Sequence, residues 1–288
     1  MLRRVAYPAV VVAMGLLLAG CALGIFGFER RAEWHDAEER SCMQQHAVVF
    51  TAWERPASRV NDSGACGILK PIAVAAMESG TLALTPTATI NCPMTSYLEE
   101  WVTDAVQPAA LVWFGQPLSG LKQIAAYSCR PIDSIPGKSL SEHAYGNAID
   151  IAAFVLADGE TITVKHDWTL GDDRARGFLR EVFAAACQRF KTVLGPGEPY
   201  HGDHFHLDLA HHGRDRTSRY CNPKPVGPAP VRAPYSGAVA SNGSGGGLFD
   251  WMHTGSIAPA APLPAPGPLL DQRPDDVIAD EIEDAGAD

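Results

Sequence analysis

Five of the ten histidines fall within twelve residues: His201, His204, His206, His211 and His212. From Tyr200 to Leu209 the chain reads Tyr-His-Gly-Asp-His-Phe-His-Leu-Asp-Leu. The second half of this stretch alternates. Phe205, Leu207 and Leu209 share one face of an expected strand, and His204, His206 and Asp208 share the other. Imidazoles at i and i+2 on one strand face can reach a common ion. A hydrolytic zinc site typically takes three protein ligands and leaves a fourth position open. The strand therefore supplies one or two ligands, and the rest must come from elsewhere.

The second contributor is the segment from Ser141 to Asp150, Ser-Glu-His-Ala-Tyr-Gly-Asn-Ala-Ile-Asp. Asp150 lies in an apolar run, Ala148 to Phe154, where Ile149 and Ile151 point to a core and Asp150 to the opposite face. A carboxylate there is costly unless it is paired, hydrated or bound to a metal. His143 precedes Gly146, which lets the backbone reverse tightly. A loop histidine and a strand aspartate can hold one cation from two sides. Asp208 reads either as a carboxylate that orients a ligand histidine or as a surface charge. His211 and His212 read as a polar loop, and Tyr127 and Tyr145 as packing or groove residues.

These residues need elements to position them. Thr95 or Ser96 can cap a helix running through Leu98, Trp101, Val102 and Val106 and ended by Pro108. Asp172 can cap a second helix, along which Phe178, Leu179, Val182, Phe183, Ala186 and Phe190 recur at helical spacing. Four short runs read as strands: Ile124–Cys129, Ala148–Phe154, Thr161–Val164 and Phe205–Leu209. Asp158-Gly159 suggests a hairpin between the second and third runs. The expectation is an α+β fold with a small, mostly antiparallel sheet, spanning residues 37–222 after a linker at 29–36.

Both ends differ from this unit. Arg3 and Arg4 precede an apolar-rich run from Val5 to Phe28, so residues 1–28 read as an export signal or membrane anchor. Leu18-Ala19-Gly20-Cys21 fits a lipobox with Cys21 as the lipidated residue. Alternatively, one uncleaved helix of about 36 Å crosses a bilayer core of about 30 Å. Either way the domain is expected outside the cytoplasm and held at a membrane. Cys42, Cys66, Cys92, Cys129, Cys187 and Cys221 are even in number and form no CxxC pair. They read as three disulfides in an oxidising compartment, with the pairing open.

Residues 223–288, rich in proline, alanine and glycine, read as a disordered tail, with Leu248 to Met252 as a small apolar island. Residues 271–288 carry eight acidic side chains and one arginine, which accounts for −7 of the net charge of −10. The rest is near neutral and shows no basic patch, which argues against a nucleic-acid partner.

Ser-x-His-x-x-Gly-x-Ala-x-Asp at 141–150 followed by His-x-His at 204–206 resembles the zinc peptidase superfamily. That group contains the D-alanyl-D-alanine carboxypeptidases, the murein endopeptidases and the hedgehog amino-terminal domain. The wider pattern is more similar to the bacterial extensin-like C-terminal family. It runs from Cys66 through Tyr127-Ser128-Cys129-Arg130, the 141–154 block, Asp167-Trp168 and Thr192 to Gly197, ending at His206 and Asp208.

The resemblance implies that His143, Asp150 and His206 are zinc ligands and that His204 stabilises the transition state. Arg130 would sit near the substrate carbonyl or carboxylate. It leaves the general base open between Asp203, in place of a glutamate, and His201, in a His-x-x-His-x-His pattern. The implied function is a zinc-dependent hydrolase of peptidoglycan peptide amides. The alternative is a peptidoglycan- or partner-binding module that keeps the metal-site fold.

Overall fold

The computed structural model describes residues 31–225. The expected signal or anchor at 1–28 and nearly all of the tail lie outside the described residues. Among those described, no helix is long and apolar enough to cross a membrane.

The apolar run Pro71–Met77 forms strand β4, buried except at Ala75. A tight turn returns the chain as β5, Leu82–Asn91. Asn91 then ends the strand and caps a helix, accepting a hydrogen bond from the Met94 N–H. A single nine-stranded sheet results. Its main path begins with β1 (Glu54–Pro56), β4, β5 and β6 (Leu118–Ala125). It continues through β7 (Ala148–Leu156), β10 (Phe205–Asp208), β9 (Thr192–Leu194) and β11 (Tyr220–Asn222). β8 (Thr161–Thr163) pairs with β7 across the Asp158-Gly159 turn. A separate hairpin joins β2 (Val60–Asn61) to β3 (Gly67–Ile68). Most pairs are antiparallel, while β5–β6 and β9–β11 are parallel. The fold is α+β as expected, but its sheet is larger than expected and mixed.

Helix α1 spans Glu33–Gln44. Helix α2 (Cys92–Trp101) continues through a π turn at Val102–Val106 into α3 (Gln107–Phe114), which ends at Gly115. After the short α4 (Val164–Asp167), α5 (Asp173–Arg189) begins at Asp172, whose carboxylate accepts from the Ala175 N–H. The aromatic core lies between these helices and the sheet. Phe154 meets Phe178 edge-on at 5.2 Å, Phe183 meets Phe205 at 5.0 Å, and Trp101 donates its indole N–H to the Val182 carbonyl.

Several expectations are corrected. The first helix starts at Cys92, ahead of Thr95 and Ser96. Pro108 does not end it, because the wide π turn falls where the missing proline N–H would have broken the α pattern. The strand expected at Ile124–Cys129 lies earlier, at Leu118–Ala125. The expected linker at 29–36 overlaps α1, and His35 within it is buried.

The six cysteines pair as Cys42–Cys92, Cys66–Cys129 and Cys187–Cys221. The first ties α1 to the start of α2. It closes a separation of 50 residues, which in the chain-entropy view is worth roughly 4 kcal/mol. Replacing Cys42 and Cys92 together with serine should lower the unfolding free energy by about that amount, read as an earlier urea midpoint.

Candidate metal centre

The pairing of β7 with β10 sets two of the three donors. The register places His206 directly opposite Asp150, with Phe205 against Ile151 and Leu207 against Ile149. The isoleucines, the phenylalanine and the leucine enter the core, and the polar side chains share the other face. That face is buried too: Asp150, His206 and Asp208 are all closed off from solvent.

His143 arrives on a separate support. It sits on a 3₁₀ turn, Glu142–Tyr145, whose start is capped by the Ser141 hydroxyl. Gly146 ends the turn at φ +61°, where a β-carbon would lie 2.3 Å from Ile68 Cδ1. The Gly146 carbonyl accepts from the Asn91 N–H at 2.8 Å, which ties the turn to the end of β5.

The three side chains converge. His143 Nε2 lies 3.2 Å from Asp150 Oδ2 and 3.2 Å from His206 Nδ1. His206 Nδ1 lies 2.9 Å from Asp150 Oδ1. One donor atom from each residue falls within 4.8 Å of the other two. The remaining ring nitrogens are occupied. His143 Nδ1 donates to the Ala126 carbonyl at 2.6 Å, and His206 Nε2 donates to Asp208 Oδ2 at 2.9 Å. When neutral, each histidine thus carries its proton away from the cluster and turns a lone pair inward. Two imidazole nitrogens and one carboxylate suit a divalent transition ion. Asp208 is the orienting carboxylate of the two readings considered.

The electrostatics follow from burial and pairing. Burial alone would raise the Asp150 carboxyl, but His143 and His206 outweigh it and hold the group well below its usual range. Burial would lower the His206 pKa, but Asp150 and Asp208 on either side push it up to about 10. Asp208 is held low against its own burial, chiefly by His206.

The cluster forms the floor of a cleft of about 640 Å³. Arg130, His201 and His204 line it, with Ile132, Leu140, Tyr200 and Tyr220 among its walls. His201 Nδ1 donates to the Pro199 carbonyl at 2.7 Å, which leaves Nε2 as the acceptor nitrogen. Burial lowers the His201 pKa and favours its neutral form. The His201 ring centroid is 5.1 Å from that of His204 and 5.6 Å from that of His206. Tyr200, beside His201, is exposed and held at φ +65°. Asp203 is not a cleft-lining residue. Its carboxylate accepts from His204 Nδ1 at 2.7 Å, and His204 Nε2 lies 3.7 Å from Asp150.

Other histidines have local partners. His211 pairs with Glu38 and stacks on Trp34, and His212 bonds the Thr192 hydroxyl at the cleft edge. His166 pairs with Asp167 at the surface. Tyr127 bonds Asp62 outside the cleft, and Tyr145 is buried against His35. Sequence reasoning missed Glu142 and Asn147, which bond each other beside His143. No spacing rule marks them, because their partners come from different elements.

Fold and site together define a disulfide-stapled α+β domain with a buried His/Asp cluster that could hold a metal ion, beside a cleft. A family model described as the extensin-like protein C-terminus matches residues 40–222, and the chain belongs to this family. No curated protein matches the chain.

Three expectations follow. Asp208→Asn should weaken metal binding by about 10–100-fold, measured by chelator competition. In the metal-free protein the raised His206 pKa contributes stability that is full below its ordinary value of 6.5 and fades as pH rises toward 10. The lowered carboxylates contribute above their ordinary 3.8 and lose this as pH falls. Metal must displace the His206 proton, so uptake at pH 7 should release about one proton from that ring. Calorimetry in buffers of different ionisation enthalpy would show it.

Proposed function

We propose that the chain is a membrane-held, extracytoplasmic zinc-dependent hydrolase that cleaves peptide amide bonds of peptidoglycan. The observation that carries this reading is the meeting of His143, Asp150 and His206 at the floor of an open cleft flanked by His201, His204 and Arg130. Three disulfides favour an oxidising compartment. The apolar N-terminal run supports membrane attachment, either as a lipoprotein at Cys21 or through a transmembrane helix. The motif's resemblance to zinc peptidases of the bacterial wall supplies the substrate class.

His143, Asp150 and His206 would hold the ion. A zinc ion held there would supply Lewis acidity that makes a water acidic enough to attack at neutral pH. The chain's own groups do the rest. His201, with Nε2 as acceptor, takes the proton of the attacking water and returns it to the leaving amine. Asp203 fixes the His204 ring through Nδ1. His204, beside the ligand face, stabilises the oxygen that gains charge, a contribution of about 10²–10³-fold for such groups elsewhere. Arg130 holds a carbonyl or carboxylate of the peptide at the cleft wall. This reading takes His201 as the general base and Asp203 as the group that orients His204.

The test is digestion of purified peptidoglycan by the zinc-loaded full chain, with metal content measured on the same samples. His206→Ala should lose both metal and fragment release. His201→Ala should keep the metal and lose turnover by about 10²–10⁴-fold. A wild-type protein that holds zinc, binds the wall and releases no fragments would overturn the hydrolase and leave the binding module.

A further inference from the structure

Helix α1 begins ahead of the matched family segment, which starts at residue 40. Its first two turns nevertheless reach both halves of the metal motif. His35 is 4% exposed, and its Nε2 donates to Glu142 Oε2 at 3.0 Å. Glu142 immediately precedes the ligand His143. The same carboxylate oxygen accepts from Asn147 Nδ2 at 2.8 Å, at the other end of the turn. The His35 ring is stacked on Trp34 at 3.7 Å and lies against Tyr145 at 4.0 Å. Trp34 also stacks on His211, just beyond the strand that carries His206.

We infer that His35 is a positioning residue for the metal centre: through Glu142 it locks the 3₁₀ turn so that His143 presents Nε2 to Asp150 and His206. The physical reason is the weakness of the support without it. A 3₁₀ turn has poorer hydrogen-bond geometry than an α-helix and runs only a few residues. The Ser141 cap, the Asn91 bond to Gly146 and the His143 bond to Ala126 hold its backbone and the ligand ring, and His35 adds the tie from Glu142 to α1. A half-buried carboxylate oxygen that accepts two N–H groups joins the start of the turn, its end and α1 into one unit. Carboxylates and amides placed behind metal ligands elsewhere are worth about 10–100-fold in affinity. His35 therefore belongs to the working site of this chain, although it lies outside the family segment.

This inference rests on the metal-centre reading, and the experiment separates the two. Zinc affinity of the full chain is measured by chelator competition, together with the visible spectrum of the cobalt-loaded protein. His35→Phe keeps the ring stack and removes the N–H donor. It should weaken zinc binding by about tenfold or more and shift the cobalt spectrum, and His35→Gln, which restores a donor, should recover most of both. Glu142→Ala should produce a similar loss, and adding His35→Phe to it should cost nothing further, because both act through one contact. His35→Phe with wild-type affinity and spectrum would overturn the inference while leaving the metal centre intact, as would strictly additive losses in the double variant. A wild-type chain that takes up no more metal than His206→Ala would overturn both readings.

Discussion

The centre depends on one cross-strand pairing, Asp150 against His206 on neighbouring antiparallel strands. A slip of one residue in that register would turn the carboxylate and the imidazole into the aromatic core and bring isoleucine and leucine out into the cleft. The register is fixed from the other side. Ile149, Ile151, Phe205 and Leu207 are all fully buried, and Phe205 packs against Phe154, Phe183 and Trp168. The hydrophobic face thus decides where the polar face stands.

Placing Asp150 and Asp208 in a buried setting is expensive unless each finds a partner. Both find one in His206, whose two ring nitrogens meet the two carboxylates at 2.9 Å. The three groups lie in a line across two strands, and the outer carboxylate determines which nitrogen faces inward. His143 completes the set from a turn that is braced by β5, the loop after β6 and α1. Ligands on rigid strands and one ligand on a braced turn make a preformed donor set, which lowers the ordering cost of binding an ion.

The donors were readable because their chemistry conflicts with their surroundings. An aspartate between isoleucines and a His-x-His alternating with apolar residues are both costly without a function. The histidine-facing side of β10 is buried rather than solvated, and that follows from the turn and loops laid over it, which no local pattern encodes. The β1–β5 region went unassigned for a different reason. Pro71–Met77 shows no alternation because both its faces are covered. Leu82–Asn91 contains Pro86, which sits where the ladder to β4 is interrupted by a register shift. The disulfide partners and the reach of α1 to Glu142 depend on long-range packing, so cysteine counts and capping rules could not supply them.

The most direct test is X-ray absorption at the zinc edge on the full chain loaded with one equivalent of metal. The account predicts a first shell of nitrogen and oxygen only, with scattering from two imidazoles, and loss of one imidazole in His143→Ala. A shell containing sulfur, or an unchanged imidazole count in that variant, would contradict it.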